Sequence, residues 1–154
     1  MKTTLIRPVE RADEGRWRSL WHGYNQFYGA DLSDEITNHT WQRLLDPASP
    51  LFCRVAEYDG AVAGFVHGVL HEGTWTTAPS CYLEDLFVDP DMRRRGIARL
   101  LIHDLTATCV AKGWSRLYWH TDRDNPARAL YDKFASADNF VRYRLTFPAA
   151  RRGE

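Results

Sequence analysis

The segment LFVDPDMRRRGIARLLI, residues 86–102, constrains this chain more than any other stretch. Its apolar start reads as the end of a buried strand, which Asp89-Pro90 stops because proline has no N–H for a ladder. From Gly96 onward, Ile97, Leu100, Leu101, Leu105 and Cys109 line one side of a helix over 96–112, with Gly113 just past its end. A strand, a short basic turn and a helix N-terminus form part of an α/β architecture. They are also a physical recipe for holding a pyrophosphate. The first helical N–H groups are unpaired, and the helix dipole favours an anion there. Gly96 lets the backbone come close, Ala98 leaves room, and Arg93, Arg94, Arg95 and Arg99 add positive charge. The pattern is neither GxxxxGK[ST] nor GxGxxG. On turn chemistry alone, the arginines read equally well as a solvated basic turn.

The remaining elements fit such a domain. Residues 3–9 (TTLIRPV) form a short β-rich strand. Asp13 is placed to cap a helix through Trp17, Leu20, Trp21, Tyr24 and Tyr28, which recur at helical spacing. Ser33-Asp34-Glu35 opens a second helix with Ile36, Trp41, Leu44 and Leu45, and Pro47 lies beyond it. Strands over 51–58 and 61–70 flank Asp59-Gly60, a strong hairpin signal. A further strand covers 81–88. After the central helix come a strand over 116–121 and Asn125-Pro126 as cap and first-turn proline. A helix with Ala127, Leu130, Tyr131 and Phe134 follows, then a last strand over 140–147 and a polar tail over 148–154. The order β-α-α-β-β-β-α-β-α-β, without repeat or linker, predicts one α/β domain with a mixed sheet spanning 1–154.

At 154 residues the chain is long enough to bury about two-thirds of its unfolded surface. No apolar run approaches the roughly 20 residues of a membrane span, and the N-terminus lacks a signal-peptide core. Cys53, Cys81 and Cys109 are scattered without CxxC spacing, so we expect reduced thiols, no metal site and a cytoplasmic location. The net charge is zero, which provides no global field toward nucleic acid or membrane. Residues 1–80 carry seven Lys/Arg against ten Asp/Glu, and residues 81–154 thirteen against ten. The basic half suits an anionic ligand and the acidic half a cationic one.

The stretch around Arg93, Gly96 and Ala98 resembles the central motif of the GNAT acetyltransferase superfamily, Arg/Gln-x-x-Gly-x-Gly/Ala after a strand. The likeness extends over nearly the whole chain, through the DG hairpin, YLEDLFV at 82–88 and NPARALY at 125–131. YLEDLFV and the YWHTD…ALY stretch are most similar to polyamine and small histone/polyamine acetyltransferases. The resemblance implies a mostly antiparallel, twisted sheet flanked by helices, N-acetyltransferase activity, and acetyl-CoA as co-substrate. It places the pyrophosphate against Arg93, Arg94, Arg95, Gly96, Ile97, Ala98 and Arg99, and the thioester carbonyl near Leu86, Phe87 and Val88.

Acetyl transfer to an amine needs a neutral nucleophile, a place for the developing oxyanion and a proton for the departing thiolate. At pH 7 only about one part in a thousand of a primary amine is neutral. A carboxylate that takes its proton therefore speeds the reaction. Glu84 and Asp85 are the candidates. On a regular strand they face opposite sides, Glu84 with Leu86 and Val88, while the resemblance implies a splay or bulge here. A strand-end salt bridge competes as the reading of each. The family pattern Asn-x-x-Ala-x-x-Leu-Tyr makes Tyr131 the acid for the leaving sulfur, against a plain core aromatic. Asn125 stands one residue closer to Tyr131 than in that pattern, so it either contacts the cofactor through a tighter turn or only caps the helix.

By the same resemblance, the first two helices and the fifth strand border the acceptor pocket. Aromatic faces beside carboxylates hold organic cations, which makes Tyr24, Tyr28, Glu84, Asp85 and Trp119 the candidate acceptor-binding residues. Trp17 and Trp21 have core spacing, and His120 reads as structural. The expected activity is acetylation of a small primary amine (polyamine-like, amino acid or amine antibiotic) by direct attack in a ternary complex. A protein lysine or N-terminus is the alternative acceptor. A non-catalytic acetyl-CoA-binding module, or a nucleic-acid binder using residues 93–99, is the alternative class. Retention of both Glu84 and Tyr131 speaks against the first and zero net charge against the second. The expected partner is a small-molecule amine, and the sheet edge and aromatic load permit a homodimer.

Overall fold

In the computed structural model of the chain, which describes residues 2–148, Asp59 and Gly60 take φ of 54° and 80°. Two left-handed residues in succession are what a type I′ hairpin turn needs. Strands β2 (Leu51–Tyr58) and β3 (Ala61–His71) close on that turn with Tyr58 opposite Ala61. β1 (Thr4–Pro8) adds antiparallel to β2, and β4 (Ser80–Val88) antiparallel to β3. β5 (Leu117–Tyr118) lies parallel to β4, so the sheet order is β1-β2-β3-β4-β5. The expected mixed, mostly antiparallel sheet is present, with β5 shorter than the 116–121 expected.

Helices α1 (Glu14–Phe27) and α2 (Asp34–Leu45) cover one face. Trp17, Leu20, Trp21, Trp41 and Leu44 from these helices pack with Cys53, Val55, Phe65 and Phe87 of the sheet. Helix α3 (Ile97–Lys112) covers the other: Arg54, between Cys53 and Val55 on β2, pairs with Asp104 of α3. Ile97, Leu101, Ile102, Leu105 and Cys109 are its buried members. Leu100, expected among them, is 41% exposed, and Ile102 takes that place. Ser33 caps α2 by accepting from the Ile36 N–H at 3.3 Å. Asp13 stands at the N-cap of α1, but its side chain does not cap that helix. It turns back to accept from the Glu10 N–H at 2.8 Å and from Arg7 at 2.8 and 2.9 Å. A bidentate guanidinium outcompetes a cap for the same oxygens.

These elements belong to a first compact unit, Met1–His120; a second is Thr121–Glu154. In the second, Asn125 accepts from the Ala127 N–H at 2.9 Å and donates to Thr121 Oγ1 at 2.9 Å. This closes a turn ahead of the short helix α4 (Arg128–Tyr131), whose N-cap is Ala127 without a side-chain bond, so Asn125 and Pro126 stand before the cap and not at the expected cap and first-turn positions. The strand expected over 140–147 is not formed. Phe140, Val141, Tyr143, Leu145 and Phe147 are between 71% and 92% exposed. Alternation is a strand's pattern, but a strand also needs a neighbour to complete its ladder, and this segment pairs with none among the described residues. Of the expected tail over 148–154, residues 149–154 lie outside the described residues. No helix of the described residues is long and apolar enough to cross a membrane.

Candidate active site

β4 holds both candidate carboxylates, Glu84 and Asp85, and its pairing changes along its length. It meets β5 at only two positions, Cys81 opposite Leu117 and Tyr82 opposite Tyr118. From Leu83 to Val88 its outer edge has no strand partner among the described residues. Asp89 donates to the Ala63 carbonyl, so by alternation Phe87 also faces β3 and the N–H groups of Leu86 and Val88 face the open edge. On its inner edge the register slips: His67 faces Asp85, whereas Gly68 faces Leu83. Glu84 is the extra residue of this bulge. A bulge re-aims the side chains that follow it. Cys81 lies against Cys109 of α3, whereas Asp85 and Phe87 meet the α1 side, where a regular strand would have kept all three on one face. The simple alternation that put Glu84 with Leu86 and Val88 is replaced by this geometry.

Asp85 is buried, at 9% exposed. Its Oδ2 lies 2.9 Å from His67 Nδ1, and the Tyr24 hydroxyl donates to the same carboxylate. Burial first, and the Asp85 charge second, push the Tyr24 phenol well up, so it stays a donor. Glu84 is exposed. Partial desolvation by its neighbours, followed by the charge of Asp85, raises its carboxyl above the usual range, with His67 and then Arg43 pulling the other way. Two adjacent carboxylates with unlike environments are an arrangement suited to proton transfer.

Tyr24 belongs to an aromatic row along α1: Trp17 to Trp21 at 5.9 Å, Trp21 to Tyr24 at 5.3 Å, and Tyr24 to Tyr28 at 4.8 Å. Its buried end, Trp17, is core, and its other end, Tyr28, is 50% exposed. Trp119 is half-buried at the end of the first unit.

Beyond β4 the chain turns through a 3-10 segment into α3. Arg16 pairs with Asp89 and fixes that turn to α1. Arg94 takes φ 62° and Gly96 φ 76°, so the backbone coils left-handed just ahead of the helix. No side chain caps the α3 N-terminus, and a Cβ built on Gly96 would meet nothing within 4 Å. Open N–H groups of Ile97, Ala98 and Arg99 on a helix end suit a phosphate. The arginines divide: Arg93 donates to the Val88 carbonyl at 3.2 Å, and Arg95 to the Tyr58 hydroxyl at 3.3 Å over that ring. Arg94 and Arg99 stay exposed. This open, uncapped, basic cradle fits a pyrophosphate-bearing co-substrate.

Tyr131 is half-buried in the second unit, and the Asn125 side chain is engaged by the Ala127 N–H and Thr121 Oγ1. His67 and Trp17 are the members of the cluster that sequence reasoning passed over. The available signal was a lone histidine in the apolar run AVAGFVHGVL.

The model of the Acetyltransferase (GNAT) family matches residues 17–135, from the first unit into the second. The D-amino-acid N-acetyltransferase HPA3 of Saccharomyces cerevisiae is 31% identical over 144 residues, covering 91% of this chain and 89% of that protein. Among solved structures, the aminoglycoside N-acetyltransferase AAC(6')-Iy in complex with CoA is 23% identical with TM-score 0.76, over 94% of this chain and 96% of that one. The ribosomal-protein-alanine N-acetyltransferase of Brucella melitensis biovar Abortus 2308 is 24% identical with TM-score 0.76, over 94% and 100%. These two likenesses are of fold. The family match and the full-length relative go further: the chain belongs to the GNAT acetyltransferases, acyltransferases whose acetyl donor is acetyl-CoA.

Proposed function

We propose that this protein acetylates the primary amine of a small molecule, by direct attack within a ternary complex, and that residues 1–154 act as one such domain in the cytoplasm. The observation that carries the reading is the pair Glu84 and Asp85 at the β4 bulge, beside an unpartnered strand edge that leads to an uncapped helix N-terminus. An amino acid or an aminoglycoside is the first acceptor to test, because similar proteins carry those names. A polyamine, the expectation from YLEDLFV, stands beside them.

In this reading acetyl-CoA supplies an activated acetyl thioester. The N–H groups of 96–99 hold its pyrophosphate, with Arg94 and Arg99 adding charge. The acceptor ammonium sits against the carboxylates and the Tyr24–Tyr28 rings, with Trp119 as a further border. Glu84 takes the amine proton, directly or through water. Backbone N–H groups of Leu86 and Val88 on the open edge, on either side of Phe87, would receive the oxygen where negative charge develops. Tyr131 gives a proton to the departing sulfur, a role carried over from the family pattern.

The test is a panel of amines, including D- and L-amino acids, polyamines, aminoglycosides and a lysine-containing peptide, each assayed for acetyl-CoA-dependent thiol release. Release with a small amine far above that with the peptide supports the reading. Preference for the peptide would move the acceptor to protein, and acetyl-CoA binding without turnover on any amine would leave a binding module.

A further inference from the structure

His67 lies on β3 directly opposite Asp85, and the two are 4% and 9% exposed. The proton positions in this cluster follow from its end member. An indole can only donate, and Trp17 Nε1 lies 3.0 Å from His67 Nε2. That nitrogen must accept, so the ring proton sits on Nδ1 and the ring is neutral while this bond holds. Nδ1 then donates to Asp85 Oδ2, 2.9 Å away. The oxygen that accepts is therefore unprotonated. Tyr24 donates to the same carboxylate from α1.

Two neutral donors favour the charged form of a carboxylate without cancelling its charge. No lysine or arginine among the described residues pairs with Asp85. Its negative charge is fixed in orientation and still available to a ligand cation. Glu84 next to it has no such anchors.

We propose that His67 is a positioning residue, its tautomer set by Trp17, that holds Asp85 ionised and fixed, so that Asp85 retains the acceptor's ammonium by charge while Glu84 accepts its proton. The inference rests on the acetyltransferase reading above and divides its two carboxylates into separate roles. The other titratable or charged groups around the pair are Tyr24 from α1, Arg43 from α2 and Cys53 from β2.

The test compares His67→Asn with His67→Gln in the full chain. Asparagine places an amide nitrogen where Nδ1 stands and keeps the donor to Asp85. Glutamine places its amide toward Trp17 and leaves Asp85 without that donor. His67→Gln should raise KM for the amine by roughly tenfold or more, the effect of losing a hydrogen bond to a charged group. His67→Asn should stay within about threefold, and KM for acetyl-CoA should hold in both. Equal losses in the two variants, or an unmoved amine KM in His67→Gln, would overturn the proposal.

A second measurement needs no variant to fold. Long-range proton–nitrogen NMR of the histidine-labelled wild type should show His67 protonated on Nδ1 alone at pH 7. A ring protonated on Nε2, or on both nitrogens, overturns this inference even in an active enzyme. A wild type that acetylates no amine overturns the acetyltransferase reading itself, and with it the ammonium-holding role.

Discussion

Glu84→Gln keeps the length and hydrogen-bonding reach of the side chain while removing its charge and basicity. An alkyl amine with pKa of about 10.4 is neutral at pH 7 in only about one molecule in 2,500. The wild type escapes that limit if Glu84 takes the proton in the site; the variant must wait for the neutral fraction. The expected loss in kcat/KM at pH 7 is roughly 100-fold to 10,000-fold. Between pH 7 and 9 the variant should recover about tenfold per unit, following the amine. Wild-type activity should fall on the acid side as Glu84 is protonated. That fall lies above the ordinary carboxylate range, because desolvation and then the charge of Asp85 raise the group.

The same shift has a stability consequence with a definite sign. Unfolded, a glutamate titrates near pH ~4.3; folded, Glu84 holds its proton to higher pH. The native state thus binds that proton more tightly. The stability this confers is full below the unfolded titration and is lost as the pH rises through the folded one. At pH 7 the ionised group only strains the fold, so Glu84→Gln should leave the melting temperature unchanged or raise it. Thiol-release kinetics from pH 6 to 9, with a thermal melt at pH 7, give both readings. A rate within about threefold of wild type at pH 7, or a clear fall in melting temperature, would refute the reasoning. The carboxylate would then be a structural partner.

Three further outcomes follow from the geometry. Acetyl-CoA should raise the melting temperature by mass action; Gly96→Glu puts bulk and charge at the helix N-terminus, where φ is 76°, and should abolish that rise, with a melt of the variant alone separating lost binding from backbone strain. Tyr131→Phe should leave folding and acetyl-CoA binding intact and lower turnover roughly a hundredfold or more; an unchanged rate would return the ring to a packing role. Asp13→Asn should cost about 3 kcal/mol, or roughly 6–12 °C in a thermal melt at pH 7, by breaking a buried charge pair. Arg7 holds Asp13 below its usual range, so this stabilisation is present above the unfolded titration and lost as the pH falls. The variant and wild type should therefore converge in acid.

Features that depend on local chemistry were legible in the sequence. Asp59-Gly60 makes its hairpin, Ser33 caps α2, and Gly96 and Gly113 bracket α3 with left-handed φ. Features decided by a distant partner were not. Asp13 looks like a cap until Arg7 is seen to hold it, and Leu100 looks buried until the sheet selects Ile102. The bulge at Glu84 is a property of the β3–β4 register: neither strand announces it alone, and only the family resemblance implies a splay or bulge there. Both faces of β3 are buried, which hid His67 within an apolar run. Residues 140–147 alternate as a strand should, yet alternation specifies a face and not the neighbour that would complete the ladder.

Three carboxylates of the first unit show how partner chemistry separates structure from function. Asp13 meets a guanidinium on two oxygens, so its charge is cancelled where it sits and serves only the fold. Asp85 meets a neutral imidazole and a phenol, which stabilise its charge and leave it uncancelled. Glu84, the unpaired residue of the bulge, has no hydrogen-bond or ion-pair partner among the described residues and lies within the field of Asp85. A cation near these groups would find no attraction at Asp13, a fixed one at Asp85, and at Glu84 a carboxylate whose proton affinity desolvation first, and then Asp85, have raised. The fold gains nothing from leaving Asp85 uncancelled and Glu84 unpartnered, since either would be more stable with an arginine beside it. We therefore infer, with the function proposed above, that these two negative charges are reserved for a ligand.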